Sequence, residues 1–311
     1  MALAGIFPGQ GAQSVGMLSQ LAESFPTVRQ TFEQASDVLG LDLWHMAMEG
    51  PEEDLNQTMN TQPAMLAAGV AVWRVWSEQG GEMPVAMAGH SLGEYSALVA
   101  THALRFGDAV ALVRKRAELM QQAVPAGVGA MAAILGLDDE AVIKACAEAA
   151  SDNEVVQAVN FNSPGQVVIA GNKDAVLRAL EFASEAGAKR AIELPVSVPS
   201  HCDLMQPAAE ELSVYLADVA LQQPVVDVLH NVDAARSESV DETRQALAEQ
   251  LYRPVKWVDT IENLYSQYAA DSMIEFGPGK VLFGLNRRIN KKIKTICVHD
   301  NASLEKALAL S

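Results

Sequence analysis

The strongest constraint on the fold of this chain is the segment 85–95, in which a short apolar run leads into Gly-His-Ser-Leu-Gly-Glu-Tyr. This spacing is typical of a nucleophile elbow, a tight turn between a buried strand and the helix that follows it. Gly89 and Gly93 leave room for neighbouring backbone, and Ser91 occupies the apex with its hydroxyl exposed. The N–H of Leu92 is then free to donate to a developing oxyanion. The alternative is a tight turn whose glycines serve only packing.

Length and composition indicate a soluble globular protein with one large or two medium domains. The chain has 311 residues, of which 50% are hydrophobic and 20% are charged. The longest apolar run, 64–73, is too short to cross a bilayer, so we expect no membrane partner and no signal peptide. The cysteines Cys146, Cys202 and Cys297 lack metal-type spacing, which favours reduced thiols in a cytoplasmic protein.

The charge balance argues against nucleic acid as a partner. The chain carries 22 basic and 39 acidic residues, for a net charge of −17. Basic residues nevertheless gather in two places: Lys189 and Arg190, and Arg287, Arg288, Lys291, Lys292 and Lys294. They form either solvated helix faces or a docking surface for an acidic partner.

The order of predicted elements indicates an α/β fold with a second, smaller domain. Between 129 and 194 the pattern reads β-α-β-β-α-β, which is the ferredoxin-like arrangement. We therefore predict a large α/β-hydrolase-like domain with a parallel sheet, made of residues 1–124 and 198–311, and an inserted small ferredoxin-like α+β domain over 125–197. In the large domain, helices are predicted over 18–39, from Thr61 to about 79, and from Asp108, as its cap, to about 124.

Three residues outside the elbow are candidates for chemistry. Gln10 lies between two glycines after the first predicted strand, where its amide or backbone can approach a reacting centre. Arg116 falls on the apolar face of its helix and needs an anion, either a structural carboxylate or the carboxylate of a substrate. His201 follows a proline-rich connection at the expected domain junction and is a candidate base. No Asp or Glu is marked as a third member of a triad.

The motifs form an ordered set that resembles the malonyl-CoA:acyl-carrier-protein transacylase family of fatty-acid synthesis. The resemblance covers essentially the whole chain. It is carried by Phe7-Pro8-Gly9-Gln10-Gly11, Thr61-Gln62-Pro63-Ala64, Gly89-His90-Ser91-Leu92-Gly93-Glu94-Tyr95, Arg116, Gly129-Ala130-Met131-Ala132-Ala133, Asn160-Phe161-Asn162-Ser163-Pro164-Gly165, Val198-Pro199-Ser200-His201 and Phe276-Gly277-Pro278-Gly279.

The resemblance implies a role for each candidate. Ser91 is expected to be the nucleophile and His201 its general base, oriented by a backbone carbonyl near Gln250 rather than by a carboxylate. The N–H of Leu92 and the region of Gln10 are expected to form the oxyanion hole. Arg116 is expected to hold the free carboxylate of the malonyl group.

The resemblance also implies the reaction and the partners. Malonyl-CoA is expected to acylate Ser91, and the ester is then expected to pass to the phosphopantetheine thiol of acyl-carrier protein, with no cofactor and with the chain as a monomer. Acyl-carrier proteins are acidic, which favours Lys189, Arg190, Arg287, Arg288 and Lys291 as docking residues. The alternatives are a serine hydrolase on the same elbow, a catalytically silent scaffold, and an acyltransferase that serves a polyketide pathway.

Overall fold

Two β-sheets organise the protein in a computed structural model that describes residues 2–125, 127–196 and 198–310. The strands are β1 (Ala2–Phe7), β2 (Ala86–Gly89), β3 (Gly129–Leu135), β4 (Val156–Ser163), β5 (Gln166–Asn172), β6 (Arg190–Glu193), β7 (Asp227–Leu229), β8 (Ala270–Phe276) and β9 (Lys294–Val298). One sheet has the order β7-β2-β1-β8-β9 and the other the order β4-β5-β3-β6.

Helices cover both sheets. They are α1 (Ser19–Ser24), α2 (Pro26–Leu39), α3 (Leu43–Glu49), α4 (Glu52–Leu55), α5 (Thr58–Glu78), α6 (Gly93–Ala100), α7 (Phe106–Ala123), α8 (Asp139–Ala149), α9 (Lys173–Glu185), α10 (Gln206–Ala217), α11 (Val240–Glu249), α12 (Trp257–Gln267), α13 (Val281–Ile289) and α14 (Asn301–Leu308), with a short 3₁₀ helix at Asp203–Met205. Within the described residues, none of these helices combines the length and the apolar character that crossing a bilayer requires.

The five-stranded sheet is parallel and buried on both faces. Successive strand residues point to opposite sides, so Phe7 packs into the core that contains α5 and α7, whereas Ile6 packs into the core that contains α12 and α13. In the register of β1 and β2, Phe7 lies beside Gly89. The two strands therefore end together, and the loops that follow them meet at one edge of the sheet.

The four-stranded sheet is antiparallel and has the ferredoxin-like order. Its strands and the helices α8 and α9 all come from residues 129–193, and the two helices cover one face. Met131 and Val168 on the opposite face pack with Cys202 of the larger unit. These two sheets confirm the predicted fold class. The predicted limits of the small domain, 125 and 197, stay a prediction, and residue 197 lies outside the described residues.

Three predicted helices differ in their bounds. The helix predicted over 18–39 is two helices, because Phe25 before Pro26 is extended (φ −127°, ψ 102°). Asp108 lies in the first turn of α7 rather than at its cap, and it accepts a hydrogen bond from the side chain of Arg105. The segments that form α3, α12 and β9 carry elements that the sequence pattern did not predict.

The start of α5 shows how a proline is accommodated inside a helix. The helix begins at Thr58, three residues before the predicted start, and contains Pro63. Proline has no N–H, so it cannot donate to the carbonyl of Met59, four residues earlier. Arg114 of α7 donates to that carbonyl instead, at 3.1 Å, which satisfies the acceptor that the proline leaves free.

Substitution of Gly89 by alanine is expected to destabilise the protein strongly. A Cβ at this position would lie 1.8 Å from the carbonyl carbon of Gly93, and backbone cannot move aside as a flexible side chain can. We expect the free energy of unfolding to fall by about 3 kcal/mol or more, as in severe overpacking. Urea denaturation followed by circular dichroism measures the change.

Gly284→Ala is the matched control for this substitution. Gly284 lies in α13, and a Cβ there would meet no atom within 4 Å. Alanine stabilises a helix interior over glycine by about 1 kcal/mol, so this variant is expected to be at least as stable as the wild type. Equal unfolding free energies for the two variants would contradict the steric account of the elbow.

Candidate active site

Ser91 lies at the apex of a strand–turn–helix that joins β2 to α6. Its backbone is left-handed (φ 50°), a conformation that is uncommon for residues other than glycine and that directs the side chain out of the turn. The side chain of Asn231 holds the turn from outside: its Oδ1 accepts from the N–H of Ser91 at 2.6 Å, and its Nδ2 donates to the carbonyl of Gly89 at 2.7 Å. The elbow is therefore held at the serine itself and at the glycine two residues before it.

His201 contacts the hydroxyl of Ser91 and is oriented by backbone. The distance between His201 Nε2 and Ser91 Oγ is 2.8 Å, and His201 Nδ1 lies 2.6 Å from the carbonyl oxygen of Gln250. A carbonyl can only accept, so Nδ1 carries the hydrogen and Nε2 accepts from the serine. Among the described residues His201 has no carboxylate partner, so the arrangement is a dyad.

The surroundings of His201 favour its neutral form. Burial lowers the pKa of His201 to about 3, and the positive charge of Arg116 acts in the same direction, against the opposing effect of the hydrogen bond to Gln250. The imidazole is therefore unprotonated at neutral pH, which is the state that a general base requires.

Arg116 extends from α7 to the same hydroxyl. The residue is 1% exposed, and its Nη2 lies 3.2 Å from Ser91 Oγ. Its other partners are the side-chain oxygens of Gln62, 2.8 Å from Nη1, and of Gln250, 2.9 Å from Nη2. No carboxylate of the described residues forms a salt bridge with Arg116, so the alternative of a structural ion pair has no partner in the described part of the chain.

Leu92 and Gln10, the residues predicted for the oxyanion hole, line the same cavity as Ser91. The N–H of Leu92 donates no hydrogen bond within the described part of the chain, so it is available to an incoming oxygen. The loop of Gln10 packs directly on the elbow, since a Cβ on Gly9 would lie 2.4 Å from the carbonyl oxygen of His90. The side chain of Gln10 is exposed, with its Nε2 3.4 Å from the hydroxyl of Thr58.

A cavity of about 120 Å³ joins these residues at the cleft between the two sheets. Its lining comes from the elbow, the loop after β1, the helices α5 and α7, and the small sheet, which contributes Met131, Asn160 and Val168. A cavity of this size accommodates a short acyl group and not a long chain. The structure thus brings Ser91, His201 and the other predicted site residues together. Gln250 does not line the cavity itself, but it contacts two residues that do, His201 and Arg116.

Three buried residues of the site were not predicted to act there. Glu94 follows the elbow, with its Oε1 2.7 Å from His230 Nδ1 and its Oε2 accepting from the N–H of Asn231 at 2.9 Å. Burial lowers the pKa of His230, but the hydrogen bond and charge of Glu94 outweigh it, so the pKa is raised. One feature could have predicted their role: His230 and Asn231 directly follow β7, and β7 lies parallel to β2, so both strands end at the same edge of the sheet as the elbow.

His90 connects the elbow to the small sheet. Its Nε2 lies 2.7 Å from the side-chain oxygen of Asn162 on β4, and its ring packs against Trp257 of α12 with centroids 5.4 Å apart. Burial lowers the pKa of His90, which favours a neutral ring. This residue positions the turn against the opposite wall of the cavity and does not contact the serine hydroxyl.

Known proteins resemble this chain over nearly its whole length. The sequence profile of the acyl transferase domain matches residues 5–294. The malonyl CoA-acyl carrier protein transacylase of Haemophilus influenzae is 56% identical over 299 residues, 96% of this chain and 95% of the relative. That of Salmonella typhimurium is 53% identical over 303 residues, 97% of each chain. A solved malonyl-transacylase, in complex with its type II PKS acyl-carrier protein, is 52% identical with a TM-score of 0.98 and 100% of both chains covered.

Labelling of Ser91 by a fluorophosphonate is expected to be nearly independent of pH between 5 and 8. With a pKa of about 3, His201 stays neutral over this range. A histidine with an ordinary pKa of about 6.5 would be mostly protonated at pH 5, and labelling would slow about 30-fold. The measurement is the second-order rate constant by intact mass, with circular dichroism to confirm that the protein is folded at pH 5.

Two variants control this experiment. Ser91→Ala is expected to take no label, and His201→Gln is expected to label at least about 100-fold more slowly at every pH because the base is removed. A wild-type labelling rate that falls with a midpoint near pH 6.5 would contradict the neutral, buried histidine.

Proposed function

This chain belongs to the acyl transferase domain family, and we propose that it transfers the malonyl group of malonyl-CoA to the phosphopantetheine thiol of acyl-carrier protein. The observation that carries the proposal is one hydroxyl with two partners. Ser91 Oγ lies 2.8 Å from His201 Nε2 and 3.2 Å from Nη2 of a buried arginine, Arg116. A base and a fixed cation at one nucleophile suit a substrate that has both a thioester and a free carboxylate.

The first half-reaction forms an acyl-enzyme. Ser91 Oγ attacks the thioester carbonyl carbon while His201 Nε2 takes the hydroxyl proton. The N–H of Leu92 and the loop of Gln10 stabilise the negative oxygen of the tetrahedral intermediate. Collapse of the intermediate breaks the carbon–sulfur bond, and the leaving sulfur of coenzyme A takes the proton from His201. The product is a malonyl ester on Ser91.

The second half-reaction runs the same steps towards the carrier. The phosphopantetheine thiol gives its proton to His201 Nε2 as its sulfur attacks the ester carbonyl, and the proton returns to Ser91 Oγ as the ester bond breaks. The resulting ping-pong cycle needs only side chains and backbone of this chain, and no cofactor or metal takes part in it.

Arg116 accounts for the choice of a malonyl group. Its guanidinium is 1% exposed, so its charge is poorly solvated. A substrate carboxylate can accept two parallel hydrogen bonds from it and neutralise the charge. A neutral acyl group leaves the charge unpaired, which penalises it relative to malonyl.

Malonyl units made in this way serve fatty-acid synthesis. A polyketide pathway is the second candidate, because the solved malonyl-transacylase that is 52% identical to this chain is in complex with a type II PKS acyl-carrier protein. In either pathway the chain acts in the cytoplasm as a monomer and recognises its carrier from outside the cleft.

Two basic residues that are far apart in sequence support a docking surface for the acidic carrier. Arg190 lies opposite Leu135 in the small sheet, and Gln166 lies opposite Leu135 on the other side. The side chain of Arg288 from α13 donates to Gln166, so both arginines gather at one end of this sheet. That end is four residues along β3 from Met131 of the cavity, or about 13 Å.

The other predicted docking residues are also exposed. Lys189 precedes Arg190, and its N–H donates to the carbonyl of Leu135. Arg287 and Lys291 line a separate surface groove with Lys294 and Lys306. None of the five predicted basic residues forms a salt bridge within the described part of the chain, so their charges are available to a partner.

Mixing the protein with malonyl-CoA and no acceptor is expected to give a malonyl adduct detectable by intact mass. The adduct should be absent from Ser91→Ala, and addition of holo acyl-carrier protein should discharge it. Release of free malonate without transfer to the carrier would indicate a hydrolase. Neither an adduct nor malonate would indicate a scaffold without activity and would refute the proposal.

Reversal of the charges at Arg190 and Arg288 to Glu is expected to raise the KM for acyl-carrier protein about 10-fold or more. The rate of acylation by malonyl-CoA should stay unchanged, because neither residue lines the cavity. The matched control is the double change of Arg29 and Arg105 to Glu, which alters the net charge equally at two exposed side chains that are not among the predicted docking residues. Equal losses in both half-reactions, or equal effects of the two double variants, would contradict this docking surface.

A further inference from the structure

The hydrogen-bond partners of the Arg116 guanidinium are all neutral. Nη1 donates to Gln62 Oε1 at 2.8 Å, and Nη2 donates to Gln250 Oε1 at 2.9 Å and to Ser91 Oγ at 3.2 Å. The Nε atom is buried and has no partner within the described residues. A buried guanidinium is ordinarily paired with a carboxylate, because an uncompensated buried charge is costly.

The carboxylate that acts on Arg116 from within the protein lies one amide away. Glu94 Oε2 accepts from Gln250 Nε2 at 2.8 Å, and Gln250 in turn presents its oxygen to Arg116. The other oxygen of Glu94 is 2.7 Å from His230 Nδ1. The negative charge of Glu94 is therefore committed to His230 and does not neutralise Arg116 directly.

Both amides are held so that their oxygens face the guanidinium. The Nε2 of Gln250 donates to Glu94 and to the carbonyl of Ser91, at 3.1 Å, so turning this amide over would set donors against Arg116 and break both bonds. Gln62 is 1% exposed, and its Nε2 lies 3.6 Å from Met120 Sδ, a weak acceptor that leaves Arg116 as the strong partner of its oxygen. The orientation of the cation is thus fixed by two side chains that carry no charge.

We infer that Gln62 and Gln250 are specificity-determining residues: they orient Arg116 and leave its charge for the carboxylate of the acyl group. This inference rests on the proposed function. A substrate that brings a carboxylate completes the ion pair, whereas an acetyl group leaves the cation as it was in the empty site. A carboxylate at either glutamine would complete the ion pair inside the protein and remove the advantage of malonyl over acetyl.

Gln62→Glu tests this inference, because the change keeps the shape of the side chain and adds only the charge. Single-turnover acylation of Ser91 by malonyl-CoA and by acetyl-CoA is followed by quenched-flow and intact mass. We expect the ratio of the malonyl rate to the acetyl rate to fall at least about 30-fold, the size expected when a charge-assisted contact is lost. The loss should be larger in the malonyl rate than in the acetyl rate.

Two further variants separate charge from shape and position. Gln34 is exposed, and its Oε1 accepts from Arg74 Nη1 at 2.9 Å, so Gln34→Glu makes the same change beside another arginine and should leave the ratio unchanged. Gln62→Met removes the acceptor without adding charge. It should slow malonyl acylation by no more than about 3-fold and lower the ratio by the same small factor, because one orienting contact is lost while the cation stays uncompensated.

The outcomes distinguish this inference from the proposed function. A wild-type protein that forms no malonyl adduct refutes the proposed function. A wild type that is acylated, with a Gln62→Glu variant that keeps the wild-type ratio, refutes only the role of the amides. A Gln62→Met variant that loses selectivity as far as the Glu variant also refutes it, because position and not charge would then decide. Should Gln62→Glu fail to fold, Gln62→Met decides alone: a malonyl-to-acetyl ratio within about 3-fold of the wild-type ratio supports the inference, and a larger loss refutes it.

Discussion

The close backbone contact between the elbow and the loop after β1 underlies every other feature of the site. A Cβ on Gly93 would lie 2.1 Å from the carbonyl oxygen of Phe7, and one on Gly9 would lie 2.4 Å from that of His90. Only glycine permits this approach, and the approach brings the Gln10 loop close to the N–H of Leu92, which would lie 3.7 Å from a Cβ on Gly9. The position of the proposed oxyanion hole is therefore set by how two parallel strands end.

Gln250 couples the acid–base chemistry to the recognition of charge. Its carbonyl oxygen orients His201 at 2.6 Å, and its side-chain oxygen orients Arg116 at 2.9 Å. Its amide nitrogen reaches back to the carbonyl of Ser91 and to Glu94. A displacement of Gln250 would therefore move His201 and Arg116 together, and would affect both proton transfer and the recognition of the substrate carboxylate in the proposed reaction.

Several residues that the structure brings together at the site could be predicted locally, whereas the links between distant segments could not. The elbow, Arg116 and His201 follow from motifs because glycine spacing, a basic residue on an apolar face and a proline-rich junction each have a physical reading. Glu94 and Asn231 gain their roles only when β7 lies beside β2, a pairing that no local pattern encodes. The segment that forms α12 was missed although its buried positions recur at helical spacing.

The residues that line the cavity come from both sheets, and the two sheets contribute different kinds of side chain. The parallel sheet and its loops supply Ser91, His201 and Arg116, while Met131, Asn160 and Val168 of the antiparallel sheet line the facing wall. This wall carries two apolar side chains and one amide, and no charged group. Such a division lets evolution enlarge or narrow the range of accepted acyl groups by changing one unit, while the machinery that makes and breaks the ester stays intact in the other.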